Sequence, residues 1–298
     1  MKLYDAFFAL ARRGAFRWMG DRAFLRLQYR LKRRKPLRLD PPQTYGEKLQ
    51  WLKLYDRQPV YTQMADKIAA RDFVAARVGE KYLIPEIARY SRAEDVDWAA
   101  LPRRFALKCT HGSSANILCR DKEALDIPAA QKKITAWMRR NWFWASREWP
   151  YKNIPHRILV EKFLESETDV PRDYKILCFS GEPKCIIVDF DRYTYHTRNY
   201  YDLNWQRLPV TNRHPNYEGE VPPPKCLEEM LSVARALSQG VPHLRVDLYE
   251  VDGRVYFGEM TFFHGYGMEE YQPESFEYEM GGWISLPGGK AKRCNGKG

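Results

Sequence analysis

Residues Arg245–Thr261 read RVDLYEVDGRVYFGEMT. Two runs of strand-forming residues flank Asp252-Gly253, a dipeptide that favours tight turns, so the segment is expected to be an antiparallel hairpin. Each arm carries one carboxylate among apolar neighbours, Asp247 on the first and Glu259 on the second. Facing like charges repel unless a cation lies between them. Register decides whether they face: a strict two-residue turn puts them on opposite sides, whereas a three-residue loop over Asp252–Arg254, or a bulge, sets them directly across. The second arrangement is expected, with a divalent cation between the two. Oxygen donors with no nearby histidine or cysteine suit magnesium, which takes one or two protein carboxylates together with substrate phosphates. Thr261 shares the face of Glu259. Arg245 points the same way as Asp247, toward charge developing on a phosphoryl or tetrahedral oxygen. The competing view is a plain amphipathic hairpin with its charged face in water.

Working back from the hairpin, Leu227, Met230, Leu231, Ala234 and Leu237 form one helical stripe that stops at Gly240. DYKILCFSGEPKCIIVDFDRY, from Asp173, gives two strands joined at Gly181-Glu182-Pro183, and HRILVEKFLE, from His156, is a buried-strand run ending in charge. Further upstream, PRRFALKCTHGSSANILC, from Pro102, has strand composition on both sides of a Gly/Ser tip. Such a tip offers backbone N–H groups and hydroxyls that can close over polyphosphate, with Lys108 as a point charge. It lacks the GK[ST] ending of a Walker A loop. Between these lies a helix expected from Ala129 to about Asn141, with Ile134, Trp137 and Met138 on one face. The aromatic run Trp137, Trp142, Phe143, Trp144, Trp149 and Tyr151 suits core packing better than stacking on sugar rings.

Residues 44–79 suggest two helices, the second from Met64 to Val78 and closing at Gly79. Residues 1–36 suggest a basic amphipathic helix: Arg22, Arg26, Arg30 and Arg34 recur every four positions beside Phe24, Leu27 and Leu31. Its basic face could rest on anionic lipid, hold an acidic polymer, or simply be solvated.

The chain has 298 residues, 44% hydrophobic and 14% aromatic, enough to fill a substantial core, and a formal net charge of +11 that implies an anionic partner. No run of eighteen apolar residues is present, and Arg12, Arg13 and Arg17 interrupt the N-terminus where a secretory signal would need an apolar core. The expected location is the cytoplasm, with peripheral contact at the inner membrane face open to the basic helices. Six scattered cysteines with no CxxC pair argue against zinc and disulfides. No motif for specific nucleic-acid binding is present, and oligomeric state is left open.

Taken in order, these segments resemble the ATP-grasp superfamily. ILVEKFL resembles the strand and hinge that grip adenine in D-alanine:D-alanine ligase, RVDLYEVDGRVYFGEMT the metal hairpin, FALKCTHGSS the lysine strand and phosphate-covering loop, and Asp66-Lys67 the upstream lysine. More closely, DYKILCFSGEPK, REWPYKNI, HTRNYYDLNW and the hairpin resemble the TupA-like ATP-grasp family of capsule and teichuronopeptide synthesis, over about residues 40–280. The resemblance implies an α+β ATP-grasp fold: two α+β lobes holding ATP between them, after a basic helical N-terminal segment. Expected boundaries are 1–58 for that segment, 59–160 for the small lobe, 161–287 for the large lobe and 288–298 for a flexible tail.

By the same resemblance, Lys67 and Lys108 contact ATP phosphates under Gly112, Ser113 and Ser114. Glu161, Lys162, Phe163 and Leu164 line the adenine pocket, Asp173 reaches the ribose, and Lys175 reaches phosphate or substrate. Asp247, Glu259 and Thr261 hold Mg2+, while Arg245 and Lys108 assist the transferring phosphoryl group. Apart from the resemblance, Arg192, Arg198 and His264, with Gly265, lie near the motifs, where they could orient substrate carboxylates or simply form surface ion pairs. The superfamily often has asparagine where this chain has Thr261, and its usual Rossmann-like leading lobe is replaced here by basic helices.

The implied chemistry is ATP-dependent formation of an acyl phosphate that an amine displaces, with an acidic sugar polymer or other carboxylate as acceptor. Three alternatives stand beside it. A sugar kinase would need the same lysines and metal carboxylates, a glycosyltransferase could use Asp189-Phe190-Asp191 as a DxD motif, and a polyanion-binding protein would need no catalysis.

Overall fold

The computed structural model describes residues 3–165, 171–190 and 195–288. The N-terminal part is helical: α1 (Leu3–Arg12), α2 (Asp21–Arg33), α3 (Tyr45–Tyr55), α4 (Pro59–Ala65) and α5 (Ala69–Val78). Thr44 and Glu47 form a reciprocal capping box that starts α3. The segment expected as one helix over Met64–Val78 is broken at Asp66–Ile68, because the Asp66 carboxylate bonds the Ile68 backbone N–H at 3.0 Å and Arg157 at 2.5 Å. Lys67 therefore sits at a helix junction rather than on a helix face.

A small sheet follows, built from β1 (Glu86–Tyr90), β2 (Phe105–Cys109) and β3 (Asn116–Cys119). Next come α6 (Ile127–Met138), the single turn α7 (Phe143–Ser146) and the fourth strand, β4 (Ile158–Lys162). The order β1-β4-β2-β3 is antiparallel at every pairing. Alternation along β4 sends Ile158 and Val160 into a core with Phe105, Leu107, Cys109 and Ile134, leaving Leu159 and Glu161 on the other face.

The large sheet has the order β7-β6-β5-β8-β9. It comprises β5 (Asp173–Phe179), β6 (Glu182–Phe190), β7 (Thr197–Tyr201), β8 (His243–Val251) and β9 (Arg254–Thr261), with α8 (Leu227–Ser238) between β7 and β8 and α9 (Ser275–Trp283) at the end. α8 packs against β5, β6 and β8. Tyr174, Ile176, Leu244, Val246, Met230 and Ala234 join the main core. The opposite face of the sheet carries the charged side chains.

Two expected boundaries move. Position 160/161 falls inside β4, which pairs in the small sheet over its whole length. Tyr61, Met64, Ala70 and Val74, assigned to the small lobe, pack into the core of the large one. The stretch 1–36, expected as one helix, holds two, α1 and α2, and it is docked. Arg33 donates two bonds to the Glu277 carboxylate at 2.8 and 2.9 Å, and buried Arg147 lies 4.1 Å from the Phe24 ring centre and 3.1 Å from Asp21. Arg22, Arg26, Arg30 and Arg34 remain exposed. Among the described residues no helix is long and apolar enough to cross a membrane.

Candidate active site between the sheets

The hairpin β8–β9 carries the predicted carboxylate pair. Asp247 lies directly opposite Glu259, and the device that aligns them is a bulge, not a three-residue loop: Val251 pairs with Arg254 across a two-residue turn, and the register shifts between Asp247 and Leu248. Gly258 is the extra residue. A Cβ there would stand 2.9 Å from the Tyr249 ring and 3.0 Å from the Asp247 carbonyl, which is why glycine occupies the bulge.

All five strands place charge on this face. Lys175 of β5 pairs in register with Asp247, and Asp189 of β6 with Arg198 of β7. Arg245 clasps Asp247 at 2.6 and 2.7 Å, reaches Glu259 at 3.1 Å, and donates to His264 Nδ1 at 2.8 Å. His264 Nε2 lies 3.1 Å from Glu269. Because arginine can only donate, the proton of a neutral His264 sits on Nε2, toward Glu269. Lys175 bonds Asp173 and stands 3.4 Å from Asp189 and 3.8 Å from Asp247. Arg198 holds Asp189 at 2.6 Å.

From the other side, Lys67 meets Glu259 at 3.0 Å and the Gly112 carbonyl at 3.2 Å, tying the Gly/Ser loop to the β8–β9 hairpin. Lys108 meets Glu161 at 2.6 Å, and Arg71 holds the same carboxylate at 2.9 Å. The loop is anchored behind by a histidine pair. His111 stacks on His156 at 3.8 Å, and the two bond the Trp137 and Met138 carbonyls near the end of α6 at 3.1 and 2.7 Å. Burial is the main cause that pushes His111 down to about 4.

Electrostatics within the carboxylate pair are split. Burial raises Asp247 to about 6 against the pull of Arg245 and Lys175, with Asp173 and Glu259 adding to the rise. Burial also opposes ionisation of Glu259, but Lys67 and Arg245 outweigh it and hold that carboxyl well below its usual range. The two facing carboxylates therefore titrate apart because Lys67 stands beside Glu259 and not Asp247.

These groups enclose a cavity of about 520 Å³, within the ordinary range for ligand sites. Its walls include Lys67, Lys108, Ser113, Ser114, Asp173, Lys175, Arg198, Arg245, Asp247, Glu259, Thr261, His264 and Gly265. The fold thus brings together most of the expected site residues. Three do not join them: Lys162 is exposed, Phe163 is buried beneath the Arg104 guanidinium at 4.7 Å, and Leu164 follows the end of β4. None of the three lines this cavity or the smaller one beside it, where Arg71, Leu159, Glu161 and Phe257 meet Lys67 and Lys108. Strand alternation turns Glu161 toward the cleft and Lys162 away, while Phe163 and Leu164 lie beyond the end of β4. Arg192 and Asp191 lie outside the described residues.

Sequence reasoning missed Arg71, Glu148, His196, Tyr266 and Glu269, all of which hold or line the site. Trp142 and Tyr151, expected in the core, also line it. Among the described residues no group of three or more His, Cys, Asp and Glu side chains is set to hold a metal. Asp247 and Glu259 face each other with carboxylate oxygens alone, a donor set that would suit an ion taking its other ligands from phosphate and water.

A family model described as TupA-like ATPgrasp matches residues 47–285. The chain belongs to the TupA-like ATP-grasp family. Among solved structures, this TupA-like protein is similar to D-alanine–D-alanine ligase from Bacillus anthracis complexed with ATP, at 14% identity, 75% coverage of this chain, 58% of that one, and a TM-score of 0.41. It is also similar to N5-carboxyaminoimidazole ribonucleotide synthetase in its ADP complex, at 14% identity, 72% and 50% coverage and a TM-score of 0.43. For D-cycloserine synthetase DcsG the figures are 17% identity, 68% and 64% coverage and a TM-score of 0.40. The chain therefore spans 58% of the length of the Bacillus anthracis ligase. No curated protein matches it significantly.

Proposed function

We propose that this TupA-like ATP-grasp protein uses ATP and magnesium to activate a carboxylate and join it to an amine. The observation that carries the reading is the bulge-aligned pair Asp247–Glu259 facing Lys67 and Lys108 across one cavity. Magnesium held by Asp247 and Glu259, with Thr261 beside them, would neutralise polyphosphate charge. Lys67 and Lys108 already lie within ion-pair reach of Glu259 and Glu161, so polyphosphate entering between them exchanges one set of partners for another rather than stripping bare charges of water. Ser113 and Ser114 cover the phosphates from the small lobe. Arg245, fixed by Asp247 and His264, presents positive charge beside the transferring group. The carboxylate takes the phosphoryl group and ADP leaves; the amine then displaces phosphate to give the amide.

The net charge of +11 and the exposed row Arg22, Arg26, Arg30 and Arg34 support an acidic polymer, such as one in surface polysaccharide synthesis, as the carboxylate partner. The test is calorimetric titration of a nonhydrolysable ATP analogue with and without magnesium. Magnesium-dependent binding by the wild type, lost in Asp247→Asn, supports the reading; a folded wild type that binds no analogue sinks it. With substrates in hand, ADP, phosphate and an amide identify a ligase, whereas ADP and a phosphoester identify a kinase.

A further inference from the structure

One carboxylate in the cavity stands apart from the ion-pair network. Glu148 follows the turn α7, is buried, and lines the cavity. Its carboxylate accepts a bond from Ser146 Oγ at 2.8 Å. The cations whose charge acts on it are Lys53 of α3 and Arg245 of β8, and neither donates a hydrogen bond to it. Lys53 gives two of its three hydrogens to the carbonyls of Ser146 at 3.0 Å and Tyr266 at 2.9 Å, and Arg245 bonds Asp247, Glu259 and His264. Tyr151 and Tyr266 lie close enough to feel the Glu148 charge, and Trp142 and Phe263 line the same cavity. Trp142 and Tyr266 stack with centroids 6.0 Å apart, and Arg12 lies 5.7 Å over the Trp142 ring, so this indole already takes a cation.

A buried carboxylate beside several π faces is the chemistry that recognises an ammonium ion. We infer that Glu148, Trp142, Tyr151 and Tyr266 form the subsite for the amine substrate, which enters as its ammonium ion and pairs with Glu148. Burial raises the Glu148 carboxyl, with Lys53, Ser146 and Arg245 opposing the rise, so an arriving positive charge finds a partner whose ionisation it favours. The subsite rests on the ligase reading, and it assigns the amine to this wall and the nucleotide to the lysines opposite. Tyr266 reaches the cavity because Gly265 and Tyr266 turn sharply after β9 with φ of 56° and 60°. At Gly265 a Cβ would collide with Glu269, so the turn that seats His264 also aims an aromatic at the subsite.

Calorimetry tests this on the full chain with the ATP analogue and magnesium present, using n-butylammonium and glycinamide as probes and n-butanol and acetamide as their uncharged counterparts. The expected result is binding of both ammonium probes, at least about tenfold weaker binding of the neutral compounds, and a loss of about tenfold or more for the ammonium probes in Glu148→Gln, on the scale of one buried charge-assisted contact. Should Glu148→Gln fail to fold, Trp142→Leu serves as a second variant with the same expected loss. Equal ammonium affinity in wild type and variants, or a wild type that takes up the analogue but neither ammonium probe, overturns the subsite. Ammonium binding that persists without any analogue binding sinks the ligase reading and keeps the subsite.

Discussion

Two hairpins face each other across the cavity, and they are built on different plans. In β8–β9 the charges are dense, buried or half-buried, and mutually paired, and their alignment depends on one inserted residue, Gly258. In β2–β3 the strands pair without a bulge, one lysine projects, and the loop between them offers backbone and hydroxyls. The first hairpin is specified by exact register and the second by a short flexible-composition tip. Damage should therefore spread differently: in β8–β9 a single change disturbs several partners, whereas in β2–β3 it removes one contact.

The largest break in that contrast is Asp247→Asn. It leaves Arg245 with half its anionic partners and deletes a magnesium ligand, so magnesium-dependent binding of the ATP analogue should fall about 100-fold or more, in line with about 3–5 kcal/mol for removing one member of a buried charge set. Calorimetry with and without magnesium reads it. An unchanged magnesium effect would show that the facing carboxylates serve the fold alone. Next is Gly258→Ala, which should cost about 1–3 kcal/mol in urea unfolding, because the new methyl meets the Tyr249 ring and the Asp247 carbonyl. Magnesium dependence should weaken with it as the register yields. A variant of normal stability and normal metal dependence would mean the bulge tolerates a side chain and does not fix the pair.

How much was legible follows the same division. The alternation and turn of RVDLYEVDGRVYFGEMT announced the β8–β9 hairpin, and a glycine inside a strand is a recognised sign of a bulge. The helix break at Asp66–Ile68 was not legible, since the partner that captures Asp66 is Arg157, 91 positions away. β1 was missed because Glu86–Tyr90 lies at the sheet edge and alternates between exposed and half-buried residues, so it has no apolar face to betray it. For Glu161–Leu164 the resemblance names a segment, while alternation along β4 and the end of the strand at Lys162 decide which side chains line the described cavities. Glu148 and Glu269 have local partners in Ser146, His264 and Tyr271, but their place in the site comes from the fold, which brings Lys53 and Arg245 toward the first and Arg198 and Asn212 toward the second.

Acid should loosen the large-lobe hairpin first. His243 opens β8, with Nδ1 donating to the Cys178 carbonyl at 2.9 Å and Nε2 accepting from Tyr45 at 2.9 Å. Burial above all, with the charges of His264 and Arg245, lowers it to about 3. The unfolded chain therefore takes up its proton more readily than the folded one, so stability present above the unfolded value near 6.5 is lost as pH falls toward 3. By pH 5 the loss from this group is about 2 kcal/mol, readable as a lower urea midpoint. A flat profile between pH 7.5 and 5 would mean that His243 takes up its proton within the fold.

The smallest effect, and the one that separates the two hairpins most cleanly, is Lys108→Ala. Glu161 keeps Arg71 at 2.9 Å after the lysine is gone, so no buried carboxylate is stranded and unfolding stability should change by less than about 1 kcal/mol. The polyphosphate loses one of two lysines, and analogue affinity should drop about tenfold, close to one charge-assisted hydrogen bond. A binding loss that exceeds the stability loss marks Lys108 as a ligand contact on a tolerant hairpin. The reverse would mean that the Lys108–Glu161–Arg71 cluster chiefly holds β2 to β4, and the plan inferred for the small-lobe hairpin would have to be exchanged for that of its partner.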